Sequence, residues 1–169
     1  SDIVARQDAA GRFAQPAKEA LAPDLVGLQA LCLLALQQDV EGPWDDAVDR
    51  GMTWLLSQQE RKGDRKGLIA SPVKKSWSGG YQTLYEHTLA MLAISVALRG
   101  EEKRGRSPEE TARRCDSLRE ALQSAAECLR RWQTDQGGWG AYPSWSPASD
   151  YQEAFLTSHC MEALHAARR

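Results

Sequence analysis

Few residues in this chain have the types and spacing that chemistry needs. Three histidines are present, His87, His159 and His165, and no two stand four apart as metal ligands on one helix face would. His87 follows Glu86 at the start of an apolar helical stretch, where an imidazole beside a carboxylate could move a proton or hold an ion, although a histidine so placed is more often a hydrogen-bonded wall residue. His159 precedes Cys160, but adjacent helical residues point about 100° apart and rarely share one ion. His165 lies in a last helical turn, where it favours the helix dipole. Cys32, Cys115, Cys128 and Cys160 are scattered, form no CxxC pair and read as small buried apolar residues, a weak sign of a reducing compartment. Asp45-Asp46 is the only adjacent aspartate pair, and it stands where a helix begins, so capping explains it. No catalytic residue, metal site or cofactor is expected.

Binding chemistry is better represented. Trp77 and Tyr81 lie in Lys74-Lys-Ser-Trp-Ser-Gly-Gly-Tyr81, and Trp145 lies in Tyr142-Pro-Ser-Trp-Ser-Pro147. Both segments are loops rich in Gly, Pro and Ser that precede apolar helices, and aromatic rings on loops are good contact groups. With Tyr85, Glu86 and His87 after the first loop, and Asp150 and Tyr151 after the second, they form the candidate ligand-binding set.

Five long helices must position these groups. They are expected over 24–38, 45–59, 83–99, 107–132 and 150–167, after a short N-terminal remnant. Asp24 and Ser107 are the expected caps of the first and fourth, and Thr83-Leu-Tyr-Glu86 reads as a capping box for the third, which Gly100 should end. The first, third and fifth are apolar nearly all round, whereas the second and fourth carry one apolar stripe. Buried and amphipathic helices thus alternate, which predicts an inner and an outer layer joined as consecutive hairpins. Strand alternation is absent, so the chain reads as all-α and as a single domain over 1–169.

A repeat links the hairpins. Gln7 is followed by Gly11 and Phe13; Gln58-Gln59 by a stretched version ending Gly67-Leu-Ile69; and Gln133 by Gly137 and Trp139. A glutamine at a helix C-terminus can bond terminal carbonyls, glycine permits the positive φ that stops a helix, and the ring covers the hairpin's end.

Gln-x-x-x-Gly-x-Trp, the Tyr85-Glu-His-Thr-Leu-Ala90 helix start and the 149–166 closing helix resemble the α/α-toroid superfamily of terpenoid cyclases and protein prenyltransferases, with squalene-cyclase-like QW repeats. The resemblance implies inner and outer rings of helices around a cavity. A full ring takes about twice the hairpins counted here, so the expectation is a partial toroid and a fragment of a longer protein. In prenyltransferases of this superfamily an Asp-x-Cys pair and a later His hold zinc; here Asp150-Tyr-Gln152 lacks the thiolate. The cyclase Asp-x-Asp-Asp acid is also missing. The expected function is therefore a toroid-repeat module that binds an apolar or isoprenoid ligand, or a protein partner, without a catalytic set of its own. The alternative is a fragment of an isoprenoid-processing enzyme whose catalytic residues lie outside this chain. Two terminal inner helices with open apolar faces predict a homodimer or contact with the rest of a parent protein.

Composition sets outer limits. Twenty-one Lys and Arg against 23 Asp and Glu leave a net charge of −2, too little positive charge for nucleic-acid binding. The apolar runs 30–36 and 89–98 are too short to span a bilayer, and no basic-then-apolar leader is visible.

Overall fold

Helix-forming residues with few β-branched interruptions dominate the apolar stretches, and each stretch forms a helix in the computed structural model, which describes residues 2–13, 25–38, 44–71, 79–140 and 154–168. The elements are α1 (Asp2–Ala5), α2 (Leu25–Gln38), α3 (Asp45–Ser57), α4 (Gly79–Gly100), a 3₁₀ turn (Glu101–Lys103), α5 (Pro108–Arg131) and α6 (Ala154–Ala167). Among the described residues there is no strand, only the isolated bridges Gln7–Phe13 and Gln59–Ile69. No helix among them is long and apolar enough to cross a membrane.

The all-helical expectation holds, with differences at the helix ends. Ser107 caps α5: its hydroxyl accepts the Glu110 N–H at 3.3 Å, and Pro108 takes the first helical position. Glu109 and Glu110 in the first turn and Arg130 and Arg131 in the last complement the helix dipole. At α4 the capping-box reading is overturned. The helix starts four residues earlier, at Gly79, so Thr83 is interior. Glu86 instead accepts the Ser71 N–H at 2.6 Å and the Gln82 side chain at 3.1 Å. The helix does end at Gly100, but not through a left-handed glycine. The φ of Gly100 is −82°, and the chain runs on into the 3₁₀ turn; the positive φ comes at Gly105. At α3 the cap position is Trp44, with no side-chain cap bond, and Asp45 and Asp46 fill the first turn. Asp24 and the 150–153 segment lie outside the described residues.

Helix packing makes two layers. α4 is the centre of a row, packed most extensively against α2 on one side and α6 on the other, while α3 packs on α2 and α5 on α4. The shared core includes Leu33, Met52, Leu55, Met91, Ile94, Leu129, Trp139 and Leu156. An ion network ties α3 to α5. Arg114 bonds Asp49 at 2.6 Å and Glu101 at 3.1 Å, Arg104 bonds Asp49 at 2.8 Å, and Arg106 also bonds Asp49. Glu101 is buried, so three guanidiniums around two carboxylates offset the cost of taking these charges from water.

Candidate functional site

In each of the three Gln–Gly segments the glutamine side chain closes on the carbonyl of its own glycine. The Gln7 side chain donates to the Gly11 carbonyl at 3.1 Å and to the Ala47 carbonyl of α3 at 2.8 Å. Gln59 repeats this, donating to Gly67 at 3.2 Å and to Ala121 of α5 at 2.8 Å. Gln133 donates to Gly137 at 2.7 Å. Gly11, Gly67 and Gly137 have φ of 88°, 94° and 87°, the left-handed region that side chains resist. A Cβ on Gly11 would collide with the Arg50 carbonyl, and one on Gly67 with the Ser124 carbonyl. After each glycine comes a buried Phe13, Ile69 or Trp139, and the Trp139 indole N–H donates to the Leu129 carbonyl at 2.8 Å.

His87 belongs to this frame. Its Nδ1 accepts the Ile69 N–H at 3.1 Å, and its Nε2–H donates to the Ala125 carbonyl at 3.1 Å, which fixes a neutral tautomer. Burial lowers its pKa to about 4, against the opposing effect of the bond to Ala125. Both ring nitrogens are engaged by backbone. Gln29 holds the matching place on α2, accepting the Phe13 N–H at 3.0 Å and donating to the Gly51 carbonyl at 3.2 Å. On α6 the place falls to Thr157, whose hydroxyl accepts the Trp139 N–H at 3.1 Å.

These three residues fix the register of the row. In a helix, positions two before and two after a residue point roughly opposite to it. Gln29 and His87 face the outer layer, so Tyr85, Phe155, Leu31 and His159 lie on the side turned away from α3 and α5. There Tyr85 and Phe155 stack with centroids 6.3 Å apart, and His159 meets Phe155 edge-on at 4.4 Å and Tyr85 at 5.5 Å. Leu34 and Leu92 extend the same side, half-buried. The large hydrophobics left exposed among the described residues are Leu31 at 47%, Phe155 at 51% and Met161 at 56%. All are on α2 and α6, the two ends of the row, and none on α4.

Of the expected ligand set, Tyr85 joins the aromatic group, Glu86 is buried against Ser71 and Gln82, and His87 spans the hairpin. Tyr81 is on the first turn of α4, and only its backbone is described. Trp77, Trp145, Asp150 and Tyr151 lie outside the described residues. Phe155 and His159 are additions; the signal was their i, i+4 spacing on one helix face. Cys160 points the other way, into the core, with its thiol pushed up to about 12 by burial. Burial likewise pushes Cys128 to about 11. Such thiols stay protonated and are poor nucleophiles. Among the described residues no group of three potential metal ligands comes together. The open side offers π faces, methyl groups and one imidazole edge. No family model, curated protein or solved structure matches the chain.

Proposed function

We propose that this chain is a helical-repeat module of the α/α-toroid kind whose open face on α2, α4 and α6 binds an apolar ligand. The observation that carries the reading is the Tyr85–Phe155–His159 group. It is an aromatic cluster on the side of the row away from the outer helices, with Phe155 half in solvent. An exposed aromatic ring held rigid by two neighbours loses little entropy on contact, which favours binding. The toroid part of the reading is supported by the recurring Gln–Gly geometry, in which Gln7 and Gln59 join their segments to the following helix at equivalent carbonyls, Ala47 and Ala121.

Titration with the apolar fluorophore N-phenyl-1-naphthylamine tests it. Saturable enhancement is expected, weakened at least tenfold by Phe155→Ser with the fold unchanged by circular dichroism. Enhancement that does not saturate, or that ignores the substitution, would remove the reading.

A further inference from the structure

The row has a second open surface, on the other flank of α6, and the chain itself shows what fits there. In α2, Gln29, Leu33 and Leu36 occupy the i, i+4, i+7 face against α3, and all three are buried. Leu33 lies where a side chain on Gly51 of α3 would collide with it. In α4 the same face is His87, Met91 and Ile94, again all buried, with His87 bonded to α5. In α6 it is Thr157, Met161 and Leu164. Here Thr157 and Leu164 are half-buried and Met161 is 56% exposed.

The hairpin before α6 has the matching gap. Gln7 and Gln59 each reach a carbonyl of the following outer helix, and Gly11 and Gly67 are sealed beneath that helix. Among the described residues Gln133 bonds only within its own segment, Gly137 is exposed, and a Cβ there would meet nothing closer than the Gln133 amide. Two independent sets of residues, on the Gln133–Gly137 segment and on α6, thus lack the same neighbour among the described residues.

We infer that the Gln133, Gly137, Thr157 and Met161 surface is a docking seat for an amphipathic helix of the α3 and α5 type. The occupant's chemistry is read from the two seated examples. Ala47-Val48, Gly51-Met52 and Leu55 in α3 match Ala121-Leu122, Ala125-Ala126 and Leu129 in α5, all buried. Small residues four apart let the helix backbone come close enough for a carbonyl to accept from the glutamine. Ala47 and Ala121 supply that carbonyl, and the Arg50 and Ser124 carbonyls then close over the glycine. The partner is therefore a helix with Ala or Gly at i and i+4 and a larger apolar residue after the first small one. This seat is separate from the aromatic face and does not depend on a ligand there.

The test uses the ¹⁵N-labelled chain and a synthetic peptide of the α5 sequence, 108–131, kept reduced. Saturable shifts are expected at the Gln133 side-chain amide and the Gly137 amide by roughly millimolar peptide. Met161→Glu, a change at an exposed position, should weaken binding at least tenfold. A peptide carrying Ala121→Leu and Ala125→Leu should leave both signals in place. The inference is overturned if Gln133 and Gly137 do not move, if the double-leucine peptide moves them equally, or if shifts are confined to Gly67 and Ser124, where the chain's own α5 sits.

Discussion

Gln29 and His87 perform one task in successive hairpins: each takes the N–H two residues beyond a positive-φ glycine and returns a hydrogen to a carbonyl of the outer helix. An amide and an imidazole can both fill the place because each offers an acceptor and a donor, the amide's second N–H going to the Gly11 carbonyl at 2.9 Å. Only the imidazole titrates, and that difference is measurable.

His87 should make stability depend on pH. Its folded pKa is about 4, against 6.5 for an ordinary histidine. Above pH 6.5 neither state holds the proton and the bridge contributes fully. As pH falls from 6.5 toward 4, the unfolded chain takes up a proton that the native chain refuses, so stability falls, by about 3 kcal/mol in total. Below about 4 this contribution is flat. His87→Gln, copying Gln29, should keep the fold and remove that slope. Urea midpoints of the two proteins at several pH values, plotted as their difference, check it; parallel curves would contradict it.

Gly67 and Gly137 share a backbone conformation but not a neighbourhood. Gly137→Ala should cost only the price of a side chain at positive φ, about 1 kcal/mol. Gly67→Ala should cost at least about 3 kcal/mol, because the methyl group also meets the Ser124 carbonyl and must push α5 outward. Thermal unfolding of the pair checks the ordering, and equal losses would mean α5 is not seated on Gly67.

Trp139 should be the most costly ring to remove. It is fully buried and its N–H holds the Leu129 carbonyl near the end of α5. Trp139→Ala should cost about 3–5 kcal/mol, and Trp139→Phe about 1–2 kcal/mol from the lost hydrogen bond and volume. An unchanged urea midpoint for the alanine variant would show the ring is not core.

The parts of this fold legible in sequence are those that depend on local periodicity. The bodies of α2 to α6 follow apolar spacing, and Ser107-Pro108 marks the start of α5 because cap and proline act within one turn. The Gln–Gly segments are legible because each glutamine closes on its own glycine, even with the longer gap between Gln59 and Gly67. Features that depend on distant chain were not. Thr83 to Glu86 has the spacing of a capping box, yet the Glu86 carboxylate goes to Ser71 in the preceding segment. His87 reads as a hydrogen-bonded wall residue in preference to a reactive group, but its partners Ile69 and Ala125, 18 and 38 residues away, are not legible. Nothing near Asp49 in sequence points to Arg114. Open apolar faces on the first and last of the long helices are expected from composition, but which residues carry them, Leu31 on α2 and Phe155 and Met161 on α6, is not.

The most direct test of ligand binding at the open face is photolabelling with a small apolar diazirine, 3-trifluoromethyl-3-phenyldiazirine, mapped by mass spectrometry. Insertion is predicted on Tyr85, Phe155 and Leu31 in preference to other described residues, and it should fall when unlabelled N-phenyl-1-naphthylamine is added. Label spread evenly along the chain, or label on these residues that the competitor does not reduce, would contradict a binding site on α2, α4 and α6.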